Sequence, residues 1–277
     1  MVTENQRAKA QRFLELHTGG RLLVLPNAWD AGSARIFEQA GFHALGTTSA
    51  GVALSLGYPD GERVSRADML EVVRRIASAV AIPVTADLEA GYGSTVNDAV
   101  ETAKGAIAAG AVGMNFEDST SDDRLVDVAV NVERIRAVKK VAEAEGIAFV
   151  LNARTDVFLL QIGESAGRFD ETVRRANAYR AAGADCLFVP GVTDAETIGR
   201  LVRAIKGPMN VLAGRGTPPT GELERLGVAR VSIGGGPMRA ALTLTLRIAQ
   251  ELAERGTYTS FTENALPLRD FNRLFER

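Results

Sequence analysis

Four times along the chain a helical stretch ends in glycine and runs at once into a short apolar strand. The units read EQAGFHALGTT (38–48), IAAGAVGMNFED (107–118), RAAGADCLFVPG (180–191) and ERLGVARVSIGG (224–235). Glycine closes a helix because it enters the left-handed conformation without a Cβ penalty. Three further segments repeat the order helix, breaker, strand: AVAIPVTAD (79–87), EGIAFVLNAR (145–154) and IKGPMNVLAG (205–214). With GRLLVLPNA (20–28) the strand count reaches eight. The strands are apolar almost throughout, as parallel strands buried on both faces are. Helical spacing fills the gaps, as in 66–79 (Met69, Leu70, Val73, Ile76), 131–144 and 168–182. Eightfold strand–helix alternation predicts a closed (β/α)8 TIM barrel, residues 1–277 forming one domain. An open doubly wound sheet would be expected to carry an early G-x-G-x-x-G turn, and none follows the first strand. After a last helix near 236–255 comes a C-terminal helical extension, about 256–277. Its Phe261, Phe271 and Phe275 require an apolar partner.

Composition narrows the function. A net charge of −2 and a pI near 5.9 argue against nucleic acid or an anionic membrane as partner. No apolar run is long enough to cross a bilayer, and the polar N-terminus lacks a signal-peptide centre. A single cysteine, Cys186, cannot form an internal disulfide, which points to the cytoplasm. Cys186 lies within an apolar strand and reads as core. His17 and His43 are the only histidines, so no zinc cluster can be assembled. Any metal must be hard and held by oxygen.

In such a barrel the active face lies at the carboxyl ends of the strands. There the chain places Thr47-Thr48-Ser49, Asp87 and Glu89, Glu117-Asp118, then Asn152, Arg154 and Asp156, Asn210, and Gly234-Gly235-Gly236. Alternation along a strand turns Asp87 and Glu89 the same way, so with Glu117 they are expected to converge at the mouth. Carboxylates crowded together cannot all stay ionised without a cation. An all-oxygen set with room for water suits Mg²⁺ or Mn²⁺. Arg154 offers a fixed fork of donors to a substrate carboxylate, and Asn210 is counted with the substrate-facing groups. Taken singly, an acid at a strand end is more often a cap or a loop ion pair. Ser94 reads as a helix cap of that plain kind. The three glycines at 234–236 read equally as an anion-binding nest or as close backbone packing.

The motifs TTSAGVALSLGYPDG (47–61), ADLEAGYG (86–93), FED (116–118) and ARTD (153–156), in this order and spacing, carry a resemblance. The chain resembles the isocitrate lyase/phosphoenolpyruvate mutase superfamily over most of its length. That resemblance implies a (β/α)8 barrel whose eighth helix packs on a neighbouring subunit, in homotetramers built of dimers. It also implies Mg²⁺ contacted by Asp87 and held by Glu89 and Glu117, often through water. Arg154 then faces the substrate carboxylate, with Thr48, Ser49, Ala50 and Asp87 around the substrate oxygens. Asp60 falls where the mutase branch has its catalytic aspartate. The lyase loop K-[KR]-C-G-H has no counterpart here. The segment STSDDRLVDVAV (119–130) holds no cysteine, histidine or lysine, which argues against an isocitrate or methylisocitrate lyase. The implied activity is Mg²⁺-dependent C–C cleavage or decarboxylation of a small 2-oxo acid, oxaloacetate- or 2-oxoglutarate-like, through an enolate. The catalytic residues would be Asp60 and Arg154. Phosphoenolpyruvate mutase or phosphonopyruvate hydrolase-type C–P chemistry is the alternative. A non-catalytic 2-oxo-acid binding module and a phosphate-binding barrel enzyme without metal are the others.

Overall fold

A computed structural model describes residues 2–120, 122–263 and 265–276. The expectations that touch Met1, Ser121, Asn264 and Arg277 lie outside the described residues. The strands are β1 (Leu23–Leu25), β2 (Asn27–Ala28), β3 (Leu45–Thr47), β4 (Val84–Asp87), β5 (Gly113–Glu117), β6 (Val150–Arg154), β7 (Cys186–Val189), β8 (Met209–Leu212) and β9 (Arg230–Ser232). All pairings are parallel, in the order β1-β9-β8-β7-β6-β5-β4-β3-β2.

Nine strands appear where the sequence predicts eight because Pro26 divides the first. Proline has no N–H to give a ladder. Leu23–Leu25 pairs with β9 on one side of this break, and Asn27–Ala28 pairs with β3 on the other. The divided strand therefore closes the sheet into a barrel of eight staves.

Helices α1 (Glu4–Thr18), α2 (Ala31–Gln39), α3 (Ser49–Ser55), α4 (Arg66–Ala79), α5 (Val96–Ala108) and α6 (Val128–Ala144) alternate with the strands. They are followed by α7 (Ser165–Ala181), α8 (Ala195–Ala204), α9 (Thr220–Arg225), α10 (Gly236–Arg255), α11 (Thr259–Thr262) and α12 (Leu268–Phe275). Three boundaries correct the sequence reading. The cap of α5 is Thr95, not Ser94: the Asp98 amide donates to the Thr95 hydroxyl, and the Asp98 carboxylate accepts from the Thr95 amide. Helix α6 starts one turn before 131 because Asp127 accepts from the amides of Ala129 and Val130. The segment after β3 is the helix α3, capped by Thr48.

Helix α1 seals the amino end of the barrel. Gln6 donates to the carbonyls of Ile107 and Ala111 at 2.8 and 3.0 Å, and Phe13 is fully buried. Gly113 is required at that floor: a Cβ would stand 2.5 Å from the Val150 carbonyl and 3.2 Å from the Phe13 ring. His17 also turns inward, its Nδ1 donating to the Phe13 carbonyl, and burial pushes its pKa down to about 4. Each large aliphatic side chain enclosed between barrel and helices contributes roughly 1.5–3 kcal/mol.

Helix α10 departs from this pattern. Leu242, Leu244, Leu246 and Leu252 are exposed along it. Its Glu251 carboxylate accepts from Thr257 and from the amides of Thr259 and Ser260, which holds it low, at about 2. Helix α12 rests on α2 of the same chain, with Arg35 donating to the carbonyls of Leu274 and Glu276. No helix among the described residues is long and apolar enough to cross a membrane.

Candidate active site

The carboxyl ends of β3 to β6 surround a cavity of roughly 390 Å³, lined by Ser49, Asp60, Glu89, Glu117, Ser119 and Arg154 among others. A second lobe shares Ser49, Asp60 and Arg154 and runs past Asp87 towards β9 and Arg239.

Asp87 is the last residue of β4 and is buried. Ser49 donates to its Oδ2 twice, from the backbone amide at 2.9 Å and the hydroxyl at 3.0 Å. Asn115 Nδ2 donates to Oδ1 at 3.0 Å. The first turn of α3 is thus pinned to the end of β4, and the carboxylate is fixed from both sides.

Glu89 stands two residues on, in left-handed backbone with φ of 50°. A non-glycine residue there carries a conformational cost. Its Oε2 accepts from the Glu62 amide at 2.5 Å and its Oε1 from the Tyr92 hydroxyl at 3.3 Å. The glycines that follow answer to space. A Cβ on Gly91 would lie 2.7 Å from the Phe116 ring, and one on Gly93 would lie 2.3 Å from Asp98. The turn lets the chain fold tightly behind the acids.

Glu117 ends β5. Its Oε2 lies 2.6 Å from Arg154 Nη1, and its Oε1 lies 3.1 Å from the Ser119 hydroxyl, whose shorter contact is to Asp156 Oδ2 at 2.6 Å. Arg154 ends β6 and also donates through Nε to Asp156 at 2.6 Å. Asp60 sits on the exposed rim and lines both lobes.

The electrostatics follow from crowding. Burial, then Asp60, raises Glu89 to about 7. Burial pushes Glu117 well above the usual carboxylate range, opposed by Arg154 and reinforced by Asp156, Asp87 and Glu89. Partial enclosure, then Asp87, raises Asp60. Several carboxyls facing one cavity against one guanidinium leave an excess of negative charge that a cation would relieve. The donors are all oxygen, which fits a hard divalent ion retaining water. As the side chains stand, no group of three or more His, Cys, Asp or Glu among the described residues closes on one point. Asp87, Glu89 and Glu117 are the residues that would hold such an ion.

The other expected site residues divide. Thr48 and Ala50 line the second lobe, and Thr48 also accepts from the Gly51 amide as the cap of α3. Ser49 gives its hydroxyl to Asp87. Asn210 does not line the cavity. It is fully buried beneath the mouth and bonds Ser232, because its place on β8 is one layer deeper than the strand end. Two amides at the glycine run are already used: Ile233 and Gly234 both donate to Asn27 Oδ1, at 2.9 and 2.8 Å. Gly234 and Gly235 line the second lobe, and a Cβ on Gly235 would meet Ala50 and Thr48 only at ordinary contact distance.

Sequence reasoning missed Ser119, Asn115, Tyr92 and Glu62. Ser119 and Asn115 lie two residues either side of Glu117, so strand alternation could have found both. Glu62 gave no signal: it reaches the site through a left-handed turn, φ 56°, and its carboxylate accepts from the Tyr92 amide. Cys186 is enclosed in β7, its thiol raised to about 12 by burial.

Fold and site together define a (β/α)8 protein with an acidic, arginine-faced mouth at the carboxyl ends of its strands. A family model described as Phosphoenolpyruvate phosphomutase matches residues 13–253, and the chain belongs to the phosphoenolpyruvate mutase/isocitrate lyase superfamily. It is 36% identical to an uncharacterized protein of Mycobacterium tuberculosis, covering 87% of this chain and 89% of that one. It is 32% identical to oxaloacetate decarboxylase of Rhodopseudomonas palustris, over 81% and 78% of the two chains. Among solved structures, a provisional lyase/mutase of Burkholderia cenocepacia superposes with TM-score 0.92 at 42% identity, over 99% and 98% of the chains. Phosphonopyruvate hydrolase, solved with oxalate and Mg²⁺, superposes with TM-score 0.84 at 25% identity, over 96% and 94%.

Proposed function

We propose that this protein is a Mg²⁺-dependent enzyme that cleaves or decarboxylates a small 2-oxo acid of the oxaloacetate type. One observation carries the reading: Glu89 and Glu117 line one lobe of the mouth and Asp87 the other, and the Arg154 guanidinium is shared by both. A divalent cation held by those acids supplies a Lewis acid for the charge that develops on a 2-oxo oxygen. Arg154 binds the substrate carboxylate. To do so it exchanges one of its present carboxylate partners, Glu117 or Asp156, for the ligand. Ser49, at the cavity wall, holds Asp87 in place through its amide and its hydroxyl. Asp60, exposed on the rim with its proton affinity raised, is the group placed to carry a proton to or from the substrate. The relatives named oxaloacetate decarboxylase and the absence of a lyase-type cysteine in 119–130 favour decarboxylation over aldol-type cleavage.

C–P bond chemistry is the second reading. It is favoured by the likeness to phosphonopyruvate hydrolase and by Asp60 standing at the cavity. One panel distinguishes them: oxaloacetate, 2-oxoglutarate, 2-methylisocitrate and phosphonopyruvate, each with Mg²⁺ and with EDTA. Mg²⁺-dependent release of CO₂ from oxaloacetate above the metal-only rate is the expected result. Phosphate release from phosphonopyruvate alone would transfer the assignment to C–P chemistry. Binding of these acids without turnover of any would leave a binding module.

A further inference from the structure

Beneath the mouth, inside the barrel, lies a cation that the proposed chemistry does not use. Arg230 opens β9 and is fully buried. Among the described residues no carboxylate forms an ion pair with it. Its Nε and Nη1 have no hydrogen-bond partner, and Nη2 makes the one contact, to Asn115 Oδ1 at 3.4 Å. Burial lowers its pKa to about 10, so it remains a cation at neutral pH. Burying a guanidinium without a carboxylate is costly, and an apolar side chain of the same volume would fill that floor without the cost. Packing alone therefore does not account for an arginine.

Its one partner leads to the site. Asn115 Oδ1 also accepts from Asn152 Nδ2 at 2.8 Å, and Asn115 Nδ2 donates to Asp87 Oδ1 at 3.0 Å. An asparagine amide can be turned end for end, and turned the wrong way it would aim its oxygen at the carboxylate. The acceptor-only Asp87 favours the NH₂ from one side; Asn152 adds nothing on the other, because its own amide can turn too. Arginine has five donors and no acceptor, so it tolerates only the oxygen of Asn115. We propose that Arg230 is a positioning residue for Asp87: a donor-only cation that locks the Asn115 amide with its NH₂ towards the carboxylate. This rests on reading Asp87 as a residue that holds the cation.

The sign of the effect makes the inference testable. By charge alone, removing a buried cation below Asp87 would tighten divalent-ion binding. Positioning demands the reverse. Mn²⁺ affinity, followed by electron paramagnetic resonance, is expected to weaken on the order of tenfold in Arg230→Met, the usual scale for groups that orient a ligand. Arg230→Lys keeps a donor-only cation and should recover most of the loss; it also carries the test if the methionine variant does not fold. In an Asn115→Leu background, Arg230→Met should add nothing further. Equal or tighter Mn²⁺ binding in Arg230→Met would overturn the proposal. The side-chain amide resonances of Asn115 in metal-free protein separate it from the reading it rests on. They should shift or broaden in Arg230→Met whether or not Mn²⁺ binds. Unchanged resonances would end the positioning role. An absence of Mn²⁺ binding in the unsubstituted protein would instead remove the cation site.

Discussion

Glu117 and Asp118 are neighbours in the chain and face opposite sides of the barrel wall. Asp118 points away from the mouth, is fully buried, and is saturated with donors: Arg175 Nη1 at 3.0 Å, Tyr179 hydroxyl at 2.7 Å and the Asp156 amide at 3.0 Å. Glu117 points into a lobe it shares with Asp60 and Glu89, next to the lobe of Asp87, with Arg154 as its charged donor. One acid is surrounded by partners, the other by competitors. The behind-wall cluster ties β5, β6 and α7 together, whereas the mouth cluster holds charge the fold alone does not need. Burial by itself does not distinguish these two carboxylates; the balance of donors does.

That difference should appear as opposite signs of stability change. Asp118→Ala leaves the Tyr179 hydroxyl and the Asp156 amide without their acceptor, while Arg175 keeps Glu171, and each buried donor left unmet typically costs about 1–3 kcal/mol. Urea unfolding should show a loss of that order. A loss within experimental scatter would mean that the donors around Asp118 do not hold the wall together.

Glu89→Gln should act the other way, and less strongly. The folded-state pKa of Glu89, about 7, exceeds its ordinary 4.5. Its contribution to stability is therefore full below pH 4.5 and lost as pH rises through 7. In EDTA the unsubstituted protein should weaken between pH 5 and pH 8, by up to roughly 3 kcal/mol from this group and less where neighbouring acids share the proton. Glu89→Gln should flatten that slope and be about 1–2 kcal/mol more stable at pH 8. Destabilisation of the variant at pH 8 would place Glu89 with Asp118 as a structural acid.

Legibility in the sequence followed physical range. The staves and the placing of Asp87, Glu89 and Glu117 at the mouth rest on periodicity and on glycine punctuation, both local, and both could be read; the three acids do not close on one point as the side chains stand. Pro26 dividing the first strand was visible as a residue but not as the seam that closes the sheet. Asn210 lies below the mouth because no local signal marks a strand end to the residue, and a difference of one layer removes a side chain from the mouth. Arg230 lies inside an apolar strand and gives no local signal. Its meaning depends on which residues of β5 and β6 lie across the barrel, more than 70 positions away in the chain. The Asp118 network depends in the same way on α7. Contacts of that kind leave no periodic trace.

The central claim is that the mouth acids form a cation site and the behind-wall acid does not. Isothermal titration of Mg²⁺ into the unsubstituted protein and into Asp87→Ala tests it most directly, with thermal unfolding of both as the control for fold. The account predicts a saturable binding heat that disappears in Asp87→Ala while the unfolding transition stays cooperative. Undiminished Mg²⁺ affinity in a folded Asp87→Ala protein would contradict it.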